Sequence, residues 1–241
     1  MRLDKVLAHM GYGSRKDVKE LIKKEWVTVN GARVKHGRIH VDPYNDVIMV
    51  KQTPVHYRKY IYVMINKPQG IISATTDRRE KTIIDLLPPD VQRFNPFPAG
   101  RLDKDAEGLV ILTNDGEVAH QLTSPKKAVK KTYYVTVDGR ITEKDVWQFA
   151  QGIILDDGYQ TKPGDLTILT SGCISTVELG ITEGKFHQVK RMFAAVGKKV
   201  IYLKRLQMGD IRLDTTLEPG AFRELTKTER KYCLSLKAKK N

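Results

Sequence analysis

The stretch of this sequence richest in possible chemistry runs from Pro98 to Gly116. It reads Pro98-Ala99-Gly100-Arg101-Leu102-Asp103-Lys104-Asp105-Ala106-Glu107-Gly108, followed by the apolar Leu109-Val110-Ile111-Leu112. Asn114-Asp115-Gly116 then turns the chain. A glycine-flanked loop thus presents three carboxylates, Asp103, Asp105 and Glu107, ahead of a buried strand. Such a set serves as a solvated loop, a divalent-metal site or an acid/base pair. Alternation along an extended loop is expected to send the side chains to different faces, against a three-carboxylate cage. His187 invites a catalytic or metal-ligating reading, but the histidines at 9, 36, 40, 56 and 120 form no ligand pattern with it. Local packing at a helix start is the expectation for His187.

These residues need elements to hold them. The alternating Ile61-Tyr62-Val63-Met64-Ile65 opens a segment of mixed structure. Strands are expected at 61–65, 109–113, 132–137, 166–169, 174–181 and 200–205. Helices are expected at 82–87, 117–122, 142–151 and 187–196. Strands and helices do not alternate regularly, so the fold class is α+β with a largely antiparallel mixed sheet.

Upstream, Leu3, Val6, Leu7 and Met10 recur at helical spacing. Gly11 and Gly13 end that helix. Ser14-Arg15-Lys16-Asp17 reads as a capping box with Asp in place of Glu. Val18, Leu21 and Ile22 stripe the next helix, and Lys16, Lys19, Lys23 and Lys24 lie on its other faces. Val27-Thr28-Val29 alternates as a strand, Asn30-Gly31 signals a hairpin, and Ala32 to Lys35 returns. The polar residues 51–60 read as a linker. The division is 1–55 as an N-terminal domain, 56–60 as linker, 61–232 as the main domain and 233–241 as a disordered basic tail.

Two short helices and a basic hairpin resemble the S4 RNA-binding domain. Arg2-Leu3-Asp4-Lys5, Ser14-Arg15 and Val27-Thr28-Val29-Asn30-Gly31 carry that resemblance. It implies RNA contacts from Arg2, Lys5, Ser14, Arg15, Lys16, Lys19 and Asn30. Gly100-Arg101-Leu102-Asp103, followed by Gly108-Leu109, resembles the catalytic motif of RNA pseudouridine synthases. Asn66-Lys67-Pro68-Gln69-Gly70, Lys131-Thr132-Tyr133 and Glu183-Gly184-Lys185-Phe186-His187-Gln188-Val189-Lys190-Arg191-Met192 resemble three more motifs of that family, in the same order. Ser124-Pro125 and Phe193-Ala194-Ala195-Val196-Gly197 resemble the small-subunit rRNA (RsuA) branch.

The resemblance implies an isomerase that breaks a uridine's N1–C1′ bond and rejoins the base through C5. Asp103 would be the catalytic carboxylate, as nucleophile or base. Tyr133 would stack on a flipped-out uracil, and Lys190 would pair with Asp103. Arg101 would fill the vacated space in the RNA, with Leu102 and Val189 lining the pocket. Lys190 stands where many relatives outside this branch carry arginine; lysine keeps the charge and loses the bidentate fork. Lys67-Pro68 is expected to be structural. The reaction is redox-neutral, so no cofactor and no metal are implied. The implied partner is 16S rRNA within a ribosomal-protein-bound assembly intermediate, met by a monomer. The competing readings are a synthase for 23S rRNA, a non-enzymatic RNA-binding or assembly factor, and a metal-dependent nuclease using Asp103 and Asp105.

Charge supports a nucleic-acid partner. The 241 residues carry 42 Lys and Arg against 28 Asp and Glu, a net +14. Residues 1–60 hold 13 basic and 6 acidic residues, half of that excess on a quarter of the chain. The apolar runs are too short to span a bilayer, and the N-terminus lacks a signal-peptide pattern. Two cysteines, Cys173 and Cys233, fit a reducing cytoplasm.

Overall fold

The computed structural model describes residues 1–238. Residues 239–241, the end of the expected tail, lie outside the described residues. The chain divides into two compact units, one of Met1–Ile61 with Pro88–Pro96, the other of Tyr62–Leu87 with Phe97 onward.

In the first unit, helices α1 (Leu3–His9) and α2 (Arg15–Lys23) pack over a four-stranded antiparallel sheet. Its strands are β1 (Val27–Val29), β2 (Ala32–Arg33), β3 (Ile48–Val50) and β4 (Thr53–Pro54), in the order β2-β1-β3-β4. Leu3, Val6, Leu7, Val18, Ile22, Val27, Ile48 and Val50 form the core. The capping box is complete: the Asp17 amide donates to Ser14 Oγ, and the Ser14 amide donates to the Asp17 carboxylate. Asn30 and Gly31 both hold positive φ, which the tight β1–β2 turn requires.

The segment 51–60 departs from the linker reading. Thr53–Pro54 pairs with β3, and Val55 and Tyr57 pack against the core. A polar average concealed two apolar residues at strand spacing. The short helix α3 (Pro89–Gln92) also belongs to this unit, where Phe94 meets the His9 ring edge-on.

The second unit is built on a nine-stranded sheet. Its strands are β5 (Tyr62–Lys67), β6 (Phe97–Ala99), β7 (Glu107–Thr113), β8 (Lys131–Asp138), β9 (Asp165–Thr170), β10 (Ile174–Ile181), β11 (Lys199–Met208), β12 (Ile211–Arg212) and β13 (Phe222–Glu224). The main order is β13-β5-β7-β11-β8-β10-β9, with β6 on β7 and β12 on β11. Among the described residues every strand pair is antiparallel except β7 with β11. Helices α4 (Gly116–Thr123), α5 (Glu143–Gln151) and α6 (Gln188–Ala195) match the expected helices to within a residue or two. Phe149 of α5 and Phe193 of α6 meet in the core, ring centroids 4.9 Å apart.

Two expectations fail here. The helix at 82–87 is a single 3-10 turn, Ile84–Leu86. Leu87 precedes Pro88, whose ring disfavours helical backbone in the residue before it, and Leu87 is extended. The expected tail from 233 is instead the end of a helix, α7 (Lys227–Ala238). Cys233 on it is fully buried, and Lys237 pairs with Asp115, the N-cap of α4. Charge-rich composition masked that anchoring side. Among the described residues no helix is long and apolar enough to cross a membrane.

Candidate active site

The carboxylate loop is pinned from β5. Lys67 is fully buried, and its Nζ donates to the carbonyls of Pro68, Lys104 and Ala106 at 3.0, 3.3 and 2.8 Å. Three acceptors match the three N–H bonds of an ammonium. Burial pushes Lys67 down to about 8, while Asp105, Asp103 and Glu107 pull it back up. Ser73 Oγ donates to the Leu102 carbonyl and accepts from the Leu102 amide. The Gly70 amide donates to the Lys104 carbonyl at 2.8 Å. The expected structural role of Lys67-Pro68 therefore lies largely in the lysine, which ties the loop beside Asp103 to its neighbours.

Gly108 ends this loop against β11. It holds φ +104°, and a Cβ there would sit 2.3 Å from the Arg205 carbonyl oxygen. Glycine alone permits the close parallel approach of β7 and β11. On β8, Lys131 and Tyr133 face the same side as Val135, and Tyr133 stands opposite Arg205 of β11. Helix α6 brings Val189 and Lys190. One cavity is lined by Arg101, Leu102, Asp103, Lys131, Tyr133, Glu183, Val189, Lys190 and Arg205.

All six residues expected at the centre of the site, Arg101, Leu102, Asp103, Tyr133, Val189 and Lys190, therefore meet around one space. Lys190 Nζ lies 3.2 Å from Asp103 Oδ2 and 2.6 Å from Asp105 Oδ1. Burial opposes the Lys190 charge, but hydrogen bonds to Asp105 and Asp103 outweigh it and hold the ammonium above its ordinary value. The Lys190 hydrogen bond in turn holds the Asp105 carboxyl below its usual range. Tyr133 and Val189 are buried apolar walls, and Arg101 is exposed at the rim.

The expected divergence of the carboxylates is corrected. Residues two apart on an extended chain share a face, and a turn at Lys104-Asp105 further bends the loop. Asp103 and Asp105 consequently reach the same lysine. Glu107 alone departs and accepts from the Tyr202 hydroxyl at 2.7 Å. His187 does more than pack locally. It stacks on Phe186, and its Nε2 lies 3.5 Å from Asp103 Oδ1. Among the described residues no group of three or more His, Cys, Asp or Glu side chains is arranged to hold a metal ion.

Sequence reasoning assigned no role to Lys131 or Arg205. Arg205 sits in a strand without a motif around it, and Lys131 entered only as part of the motif that carries Tyr133. Only strand register reveals that both face the cavity.

In the first unit the expected RNA residues form a less uniform group. Arg2, Arg15 and Lys19 line one groove, together with Lys23, Lys35 and Arg38. Lys5 and Lys16 are exposed outside it. Arg2 is engaged by Asp4, 2.5 Å away. Ser14 caps α2, and the Asn30 side chain donates to Asp46 and accepts from the Val47 amide. The last two are committed to holding turns.

A family model for RNA pseudouridylate synthase matches residues 61–195, and one for the S4 domain matches residues 1–47. A Bacillus subtilis (strain 168) protein named as an uncharacterized RNA pseudouridine synthase, YtzG, is 53% identical over 230 residues. That match covers 95% of this chain and 96% of the relative. The ribosomal small subunit pseudouridine synthase A of Escherichia coli (strain K12) is 39% identical over 230 residues, 95% of this chain and 98% of its own. A crystal structure of a pseudouridylate synthase has a TM-score of 0.68 at 38% identity, covering 97% of this chain and 99% of that one. With three of the four motifs lining one cavity and the first pinning the loop beside it, the chain belongs to the RNA pseudouridine synthase family, isomerases of uridine, and carries an S4 domain in front of its catalytic domain.

Proposed function

We propose that this enzyme converts one uridine of 16S rRNA to pseudouridine, with Asp103 as the carboxylate that engages a flipped-out base. The observation that carries this is the ion pair of Lys190 with Asp103 at a cavity walled by Tyr133 and Val189. A duplex base cannot reach a carboxylate half-buried in a cavity, so the target nucleotide must leave its stack. Tyr133 then holds the uracil by its face, which permits the ring to turn between bond breaking and rejoining. Lys190 keeps a cation against the reacting carboxylate. Arg101, at the rim, occupies the gap left in the RNA.

The small-subunit substrate is supported by the full-length likeness to ribosomal small subunit pseudouridine synthase A. The exposed Lys5, Arg15, Lys16 and Lys19 of the S4 domain supply phosphate contacts, which orient the RNA without reading its sequence. The reading places a monomer in the cytoplasm, acting on a protein-bound 16S assembly intermediate. Its test is a map of pseudouridine in ribosomal RNA from a strain lacking the gene. One small-subunit site should disappear, and all large-subunit sites should persist. Loss of a large-subunit site in its place would refute the 16S assignment.

A further inference from the structure

The cavity holds more positive charge than its ion pair accounts for. Lys131 is 5% exposed and Arg205 is 2% exposed, yet among the described residues neither is paired with a carboxylate. The acidic groups around them are already engaged. Asp103 is held by Lys190. Glu183 accepts from Tyr159, Gln188 and the Lys162 amide. Arg205 donates through Nε to the Leu109 carbonyl at 2.7 Å and through Nη1 to the Arg101 carbonyl at 3.4 Å. Its Nη2 is buried with no hydrogen-bond partner. Burial, and then the proximity of Arg205, hold Lys131 below its ordinary value.

Burying two unpaired cations side by side costs stability unless something else engages them. Both flank Tyr133: Lys131 two residues earlier on the same face of β8, Arg205 directly across on β11. A base lying on Tyr133 would therefore meet both.

We infer that Lys131 and Arg205 form the cationic floor that binds the carbonyl oxygens of the uracil and stabilises the negative charge the ring acquires during the reaction. This rests on the reading that Asp103 engages a flipped uridine. When the carboxylate bonds to C1′, the C1′–N1 bond breaks and its electron pair departs with the uracil. The resulting anion spreads its charge over N1, O2 and O4. After the ring turns, C5 bonds to C1′, the carboxylate is released, the C5 proton is lost and N1 is protonated. The sum is an isomerisation. If Asp103 adds to C6 instead, the displaced pair moves toward C5 and O4, so charge again collects on a carbonyl oxygen. Donors fixed in a water-poor site at the point of charge development lower such barriers strongly.

The experiment compares wild type, Lys131→Met, Lys131→Gln and Arg205→Lys on 16S rRNA fragments carrying uridine or 5-fluorouridine at the target. Single-turnover loss of the target nucleoside, RNA affinity and thermal midpoint are measured. Fluorine withdraws electrons and stabilises the ring anion, so it should partly replace the missing cation. Lys131→Met should lower the uridine rate about a hundredfold, the scale for removing one such donor. The defect on 5-fluorouridine should be several-fold smaller, with RNA affinity within a few-fold of wild type and a thermal midpoint equal to or above it. Lys131→Gln should show the same substrate dependence should the methionine variant misfold. Arg205→Lys, which keeps the charge and loses Nη2, should lie between. Equal defects on both substrates, or a wild-type rate in the Lys131 variants, would overturn the inference. Wild-type enzyme leaving every 16S fragment unmodified would instead overturn the substrate reading beneath it.

Discussion

Lys19 and Lys131 carry the same ammonium group in opposite settings. Lys19 stands in solvent on α2, bordering a groove shared with Arg15 and Arg38. Lys131 is buried on β8 beside a second cation. Around Lys19 water screens each charge, so neighbouring cations coexist at little cost and act additively. In the same unit the buried Lys67 depends on three particular carbonyls, and losing one of them cannot be shared out. The two regions suit different tasks. Phosphates along an RNA strand need many exchangeable contacts, whereas one reacting base needs a few fixed ones.

The largest test of this contrast is Asp103→Asn. The amide preserves shape and loses the charged oxygen. Turnover on 16S fragments should fall by at least about a thousandfold, as expected when a nucleophile or base is removed. RNA affinity, set by the dispersed charges, should stay within a few-fold. Turnover within about tenfold of wild type would take Asp103 out of the chemistry.

Next is Gly108→Ala, which probes the rigid half directly. The added methyl meets the Arg205 carbonyl at 2.3 Å, at a φ that side chains rarely adopt. Destabilisation of at least about 2 kcal/mol in urea titration is expected from strain and displaced backbone. Wild-type stability would mean that β7 and β11 can separate without loss.

Smaller and graded is the effect of Arg15→Gln with Lys19→Gln. Each lost phosphate contact should reduce the slope of log affinity against log salt by about 0.7 to 0.9. Single-turnover rate at saturating RNA should hold. An unchanged slope would show that these two residues do not meet the RNA.

The smallest effect concerns Asp115, a buried carboxylate held by partners. Its burial works toward a raised value, but hydrogen bonds from Lys237 and Tyr62 prevail and leave it lowered. A group lowered on folding stabilises above its unfolded value, about 3.9 for Asp, and that contribution vanishes as pH falls through the folded value. Wild type should therefore lose urea resistance below about pH 4 more steeply than Asp115→Asn. Parallel pH curves for the two proteins would remove Asp115 from the acid response.

How much of this was legible in the sequence depends on where the information sits. The loop of Asp103 stood out because it concentrates glycines, carboxylates and a following apolar strand within a few residues, and the resemblance to pseudouridine synthases singled out Asp103 within it. The cap at Ser14 and the turn at Asn30-Gly31 were equally local. Strands β3, β4, β6, β12 and β13, each of two or three residues, were missed, being too short for a period to declare itself. Lys131 and Arg205 were missed for another reason. Each occupies an ordinary strand position, and its meaning arises when β8 and β11 align Tyr133 with Arg205. The polar fringe at 51–60 and the charged end of the chain were misjudged because average composition hides a single buried stripe, such as Val55 with Tyr57 or Cys233.

The parallel seam between β7 and β11 also governs when the enzyme becomes an enzyme. Arg205 Nε reaches the Leu109 carbonyl across 96 positions of sequence. A ribosome delivers the Asp103 loop well before it delivers β11, and closing so long a loop is entropically slow. A nascent chain ending before residue 199 can hold a folded S4 domain and a carboxylate loop, yet lacks a cavity wall. The S4 domain and the carboxylate loop are thereby synthesised before β11, the strand that supplies Arg205 to the cavity wall.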